Sequence, residues 1–188
     1  MYHVRALLAA ILVAFVLTPL SPAFAHGEGG HGKPKPFDPS KVEETPFGRA
    51  GDPRQAKRTI RVAMNDRMQF VAAPAHSGHR TDVAPASAPH FMPGDIVVKR
   101  GETVRFIVSN EGKVMHEMVI GTMAELKEHA ELMRKFPDME HDEPHMAHVA
   151  PGKQGEIVWK FTKPGEFFYA CLVPGHMEAG MVSKITVK

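Results

Sequence analysis

The chain has 188 residues, of which 43% are hydrophobic, with 23 basic and 21 acidic side chains. This length is sufficient for one domain with a substantial core. Because the net charge is close to neutral, the composition gives no basic surface of the kind that nucleic acids need, and we expect no nucleic-acid partner.

Residues 1–25 predict a cleavable signal peptide. A positive charge precedes a short apolar run, and the segment ends in the small-x-small sequence Ala-Phe-Ala. The alternative, a single anchoring helix, is disfavoured because Pro19 and Pro22 interrupt the apolar run. Cleavage after the Ala-Phe-Ala sequence makes His26 the new N-terminus. We therefore expect a periplasmic protein with no membrane anchor once the signal is removed.

The next segment, residues 26–57, is rich in glycine, proline and charged residues and lacks periodicity, which predicts a flexible tail. A single domain is expected at 58–188. Residues 71–90, rich in Ala, Pro, Ser and His, predict a long surface loop to which the sequence assigns no role. Alternating apolar residues predict strands at 58–64, 95–98, 103–108, 114–120, 155–161, 167–171 and 181–187.

One helix interrupts these strands. Thr122 and Glu125 form a capping-box signature, and the helical run that follows ends near Lys135, before Pro137. A polar loop is predicted at 138–150. Seven or eight short strands with one helical insertion are typical of an all-β, Greek-key sandwich or barrel.

Cys171 is the single cysteine of the chain. In an oxidising compartment it has no partner for an internal disulfide, so either metal ligation or inert burial accounts for it. The spacing Cys-x4-His-x4-Met places His176 and Met181 in the same inter-strand loop, and His116 lies on another predicted strand. Met181 alone is an ordinary core residue, and His116 alone means little. Together these residue types supply the thiolate, two imidazoles and axial thioether of type 1 copper.

From about residue 58 onward, the chain resembles the cupredoxin superfamily of plastocyanin, azurin and rusticyanin. The resemblance lies in Phe-Tyr-Ala-Cys-Leu-Val-Pro-Gly-His at 168–176, with Gly-Met following. The chain is more closely similar to bacterial periplasmic cupredoxins linked to copper tolerance, in Met-His-Glu-Met-Val-Ile-Gly at 115–121, Glu-Leu-Lys-Glu-His-Ala at 125–130 and Met-Glu-His-Asp-Glu-Pro at 139–144.

This resemblance implies a β-sandwich with copper near one end. It makes His116, Cys171 and His176 the equatorial ligands and Met181 the axial one. The chain departs from many small electron carriers of the superfamily in having Glu117, where they have Asn or Ser, after the first histidine. We therefore expect the Glu117 side chain to bond groups near the ligand loops.

Further sulfur and imidazole donors are abundant, since the chain contains 12 Met and 12 His. Thioethers suit Cu(I), and imidazoles suit copper in either oxidation state. For His76, His79 and His90 we favour an ordinary surface role, whereas for the donors at 139–148 that role and accessory copper binding are equally open. His129 and Met133, four residues apart on the predicted helix, are in position to join the donors at 139–148. His26 offers an α-amine and an imidazole to Cu(II) if cleavage falls directly before it. The accessory candidates are His26, His129, Met133, Met139, His141, His145, Met146 and His148.

Three functions compete for this ligand set. A multicopper oxidase needs histidines beside the type 1 cysteine, but Ala170 and Leu172 flank Cys171 and no His-x-His pair occurs, so we expect no enzyme. Copper tolerance, by binding or redox-buffering copper, is favoured by the many accessory donors. A diffusible periplasmic electron carrier is the alternative. The expected partners are copper ions and a periplasmic redox or copper-handling protein, with one type 1 copper and further weakly bound copper.

Overall fold

The computed structural model describes residues 37–73, 96–137 and 141–188, and arranges them as ten strands and one α-helix. The strands are β1 (Arg49–Ala50), β2 (Arg58–Asn65), β3 (Gln69–Ala73), β4 (Ile96–Val98), β5 (Thr103–Asn110), β6 (His116–Gly121), β7 (Met146–Val149), β8 (Gln154–Lys160), β9 (Gly165–Ala170) and β10 (Val182–Val187). The helix is α1 (Met123–Lys135), and short 3-10 turns occur at Pro39–Lys41 and Pro53–Gln55.

Two five-stranded sheets contain all of these strands. One has the order β1-β8-β5-β2-β3 and the other the order β4-β10-β9-β6-β7. The pairs β2–β5 and β4–β10 are parallel, and the other paired strands are antiparallel. The predicted all-β Greek-key sandwich with a short helical insertion is confirmed.

The core forms where alternate residues of both sheets face each other. In β5, Val104, Phe106 and Val108 are fully buried, whereas the residues between them are partly exposed. They share one apolar cluster with Tyr169 and Ile185 of the other sheet. Burial of each such side chain contributes about 1.5–3 kcal/mol, which fixes the strand register, because a one-residue slip would turn these residues to solvent.

The helix α1 begins and packs as the sequence predicts. Thr122 Oγ1 accepts a hydrogen bond from Glu125 N, and Thr122 N donates to Glu125 Oε2. Leu126 and Met133 are buried in a second apolar cluster, with Leu172 among its members. In the described parts of the chain, no helix has the length and apolarity needed to cross a membrane.

The flexible tail predicted over 26–57 is wrong for its described part, residues 37–57. Strand β1 pairs with β8, and Phe47 is only 3% exposed. The Phe47 ring stacks on Trp159 with centroids 5.2 Å apart, and Trp159 Nε1 donates to the Phe47 carbonyl oxygen. Phe47 belongs to the core, but a single aromatic residue carries no periodic signal, so the sequence did not predict its burial. Residues 26–36 lie outside the described part.

Two predicted loops also contain strands. The first residues of the loop predicted at 71–90 belong to β3, which pairs with β2, while 74–90 lie outside the described residues. The loop predicted at 138–150 contains β7, which pairs antiparallel with β6. Because β7 has only four residues and its His148 is polar, the alternation is too short to distinguish it from a loop.

Candidate metal centre

The four predicted copper ligands come from neighbouring strand ends. His116 begins β6, Cys171 directly follows β9, and Met181 directly precedes β10. His176 lies between them in the connecting loop. Because β9 pairs with both β6 and β10, this topology brings the upstream histidine to the loop that contains the other three residues.

The thiol and two imidazoles converge on one point. Cys171 Sγ lies 3.2 Å from His176 Nδ1 and 3.9 Å from His116 Nδ1. The ligand atoms of all three lie within 4.8 Å of one another, and all three residues are buried. Met181 is fully buried as well. One thiolate and two imidazole nitrogens in this arrangement form a donor set that suits copper.

Backbone hydrogen bonds close the ligand loop on itself. Cys171 N donates to the Met181 carbonyl oxygen at 3.1 Å, and Met181 N donates to that of His176 at 3.0 Å. Gly175 and Gly180 have φ of +87° and +97°, a conformation that side-chain-bearing residues adopt only with strain. The loop therefore holds three of the predicted ligands in fixed relation to one another.

Burial sets the protonation of the ligand atoms. It raises the pKa of the Cys171 thiol to about 12, so the thiol is protonated at neutral pH when no cation is bound. Glu117 N donates to the sulfur at 3.4 Å, which opposes that rise only in part. Burial also lowers the pKa of His176, which keeps its imidazole neutral and able to bind a metal. A metal cation bound at this point would take the place of the thiol proton.

Asp66 orients His116, and sequence analysis did not identify it. Its carboxylate lies 3.2 Å from His116 Nε2 and also accepts from Lys113 N and Val114 N. Those backbone bonds, together with His116, lower the pKa of Asp66, so it is ionised. With Nε2 held by a carboxylate, Nδ1 of His116 faces Cys171. Asp66 precedes His116 by 50 residues, and no spacing motif links them.

We expect Asp66→Asn to raise the reduction potential of the copper-loaded protein. A carboxylate at the far nitrogen of a ligating imidazole makes it a stronger donor and favours Cu(II). Protein-film voltammetry of the unaltered chain and the variant measures the shift. Asp142→Asn, at an exposed residue without a bond to the four ligands, is the control. An unchanged potential in Asp66→Asn would contradict this role.

Glu117 connects the predicted copper site to a second group of side chains. It is 1% exposed, its Oε1 accepts from Leu172 N at 2.9 Å, and its Oε2 lies 2.8 Å from His148 Nδ1. The prediction that this side chain bonds groups near the ligand loops is confirmed. The hydrogen bond to Glu117 raises the pKa of His148.

The structure divides the accessory donors into three sets. His129, His141 and His148 lie together, with His129 and His141 Nε2 atoms 2.6 Å apart. His145 instead packs against the Phe47 and Trp159 rings. Met133 and Met146 are buried in the apolar cluster beneath α1, away from solvent, and the predictions for His26 and Met139 lie outside the described residues.

Comparisons with known proteins identify the family. Residues 79–188 match the copper-binding plastocyanin/azurin family. The chain belongs to this family. It is 48% identical over 145 residues to the copper-resistant cuproprotein CopI of Rubrivivax gelatinosus, covering 77% of this chain and 75% of that protein. It is 32% identical over 171 residues to CopI of Pseudomonas aeruginosa, covering 76% and 82% respectively.

Two solved auracyanin structures share the fold. Auracyanin B is 18% identical, with a TM-score of 0.53 and coverage of 77% of this chain and 96% of that one. Reduced auracyanin of Roseiflexus castenholzii is 17% identical, with a TM-score of 0.51 and coverage of 71% and 98%. The predicted membership of the cupredoxins and the predicted copper cofactor are confirmed, because the matched family binds copper and His116, Cys171 and His176 offer a suitable donor set.

Proposed function

We propose that this protein binds copper at a type 1 centre in the periplasm and thereby contributes to copper resistance. The observation that carries the proposal is the buried convergence of Cys171, His116 and His176 in a chain that is 48% identical to a copper-resistant cuproprotein. The predicted signal peptide supports export, and a buried thiolate donor suits a compartment where free thiols are oxidised.

In this proposal, His116, Cys171 and His176 are the equatorial ligands and Met181 is the axial ligand. Bound copper supplies a one-electron couple between Cu(II) and Cu(I). Asp66 fixes the ring of His116, and the hydrogen-bonded loop fixes His176 relative to Cys171. Full burial of Cys171 excludes water and oxidants from the sulfur. The residues thus hold copper tightly and limit its contact with other molecules.

A growth experiment tests this function. A strain that lacks the protein is expected to tolerate less copper, and the unaltered chain is expected to restore tolerance. Cys171→Ala is expected to restore it poorly at equal expression, because the thiolate is lost. Met177→Leu, beside His176 but outside the ligand set, is the matched control. Full restoration by Cys171→Ala would contradict a role for the type 1 centre in resistance.

Electron transfer to a partner is the second candidate. It is favoured by one surface feature: Val114 and Met115, which directly precede His116, are exposed, Met115 to 46%. Apolar side chains beside a copper ligand suit a transient contact with another redox protein. If the strain lacking the protein tolerates copper normally, this candidate becomes the preferred one.

A further inference from the structure

Three histidines from separate elements meet beside the Glu117 carboxylate. His129 lies in α1, His141 follows that helix, and His148 lies in β7. The His129 and His141 rings have centroids 4.6 Å apart, and those of His141 and His148 are 5.6 Å apart. The pairing of β7 with β6 places His148 opposite Glu117 in the register.

Two of these imidazoles are spaced almost as ligands of one ion. The Nε2 atoms of His129 and His141 are 2.6 Å apart. Two nitrogens that each bind one metal ion at about 2.0 Å and at right angles are about 2.8 Å apart. Entry of an ion between them therefore requires only a small separation of the rings. Burial lowers the pKa of His129, which keeps this imidazole neutral.

The third histidine has the hydrogen bonding of a metal ligand. Its Nδ1 is held 2.8 Å from the buried Glu117 carboxylate, which leaves Nε2 directed toward His141, 3.1 Å from the His141 carbonyl oxygen. A ligating histidine typically donates its other ring nitrogen to a carboxylate in this way. Binding by all three residues requires His148 Nε2 to give up its hydrogen bond to the His141 carbonyl oxygen and the His141 ring to turn toward that nitrogen.

We propose that His129, His141 and His148 form a second copper site, with imidazole ligands only. Glu117 joins it to the primary centre, because its carboxylate holds His148 and Leu172 N while its backbone N–H donates to Cys171 Sγ. The existence of this second site does not depend on the proposed function; only the identity of its metal does. Two copper ions in one chain give a copper-resistance protein greater capacity than a single centre.

Copper titration of the full mature chain tests the second site. His26→Gln and His31→Gln are introduced throughout to remove donors near the N-terminus. We expect two Cu(II) per chain, the second with an electron paramagnetic resonance spectrum of nitrogen ligation and no thiolate absorption. His129→Gln combined with His141→Gln removes two of the three proposed ligands, so it is expected to weaken the second equivalent by more than the roughly 10–100-fold that loss of a ligand's hydrogen-bond partner costs, and to leave the thiolate band intact.

Two further variants separate this proposal from the proposed function. Cys171→Ser combined with His116→Gln and His176→Gln is expected to lose the thiolate band and all binding at the primary centre, and to keep one nitrogen-ligated copper at the second site, so the two sites fail independently. His145→Gln is the matched control, since His145 lies in the same segment but packs on aromatic rings, and it is expected to keep both equivalents. A single equivalent in the parent chain, or a site that takes Zn(II) and rejects Cu(II), would overturn the proposal.

Discussion

Replacing Cys171 by alanine is expected to abolish the intense visible absorption of the Cu(II)-loaded protein. That absorption requires a thiolate bound to the metal, and Cys171 is the single cysteine of the chain. The imidazoles of His116 and His176 remain 4.9 Å apart between ring centroids, so weaker binding by nitrogen alone persists. Visible absorption and copper content, measured on the same sample, distinguish loss of colour from loss of copper.

Met181→Leu is the matched comparison for this experiment. Leucine preserves the apolar volume at a fully buried position and removes only the thioether. Because an axial thioether tunes type 1 copper rather than anchoring it, we expect the variant to keep an intense band at a shifted wavelength, with a changed reduction potential. Retention of the full thiolate band by Cys171→Ala would contradict the ligand assignment, whereas an unchanged spectrum and potential in Met181→Leu would contradict the axial role alone.

The strands and the helix were predictable where periodicity was long. Buried and partly exposed residues alternate over 104–110 in β5 and over 157–161 at the end of β8, and the capping box of α1 is a local signal. β1, β3 and β7 were not predicted, because two to five residues carry too little alternation. Phe47 shows the same limit, since its burial depends on Trp159, more than a hundred residues away.

The copper site was predictable because three of its candidate ligands share one short loop. The spacing of these three residues follows from the chemistry of the centre, so the pattern is visible in a single sequence. The residues that orient the ligands lack such a pattern. Asp66 reaches His116 across the end of the sandwich, and the partnership of Glu117 with His148 depends on the pairing of β6 with β7. Contacts of this kind are created by the fold and have no fixed spacing in the sequence.

The same reasoning explains why the sequence could not sort the accessory Met and His residues by their surroundings. A count of Met and His residues treats every donor alike, but burial separates them. Met133 and Met146 stabilise the cluster beneath α1 by apolar contact, as methionine often does. His129 and His148 lie in a helix and a strand, so they are held by regular structure rather than by a flexible loop.

Glu117→Ala is expected to destabilise the metal-free protein by about 1–3 kcal/mol, because it leaves a buried donor without an acceptor. That donor is Leu172 N, in a residue that is itself buried, and its partner in the structure is Glu117 Oε1. The substitution also removes the partner of His148 Nδ1. For a unit of this size, each kcal/mol corresponds to about 2–4 °C in Tm.

Glu117→Gln is the matched control for this last prediction. Its amide oxygen can accept from Leu172 N, and its amide group can pair with His148, at nearly unchanged volume. Urea denaturation and thermal melting of the metal-free proteins are therefore expected to place Glu117→Gln close to the unaltered chain and Glu117→Ala well below it. If both variants lose the same stability relative to the unaltered chain, the charge of Glu117, and not its hydrogen bond to the ligand loop, stabilises this part of the fold.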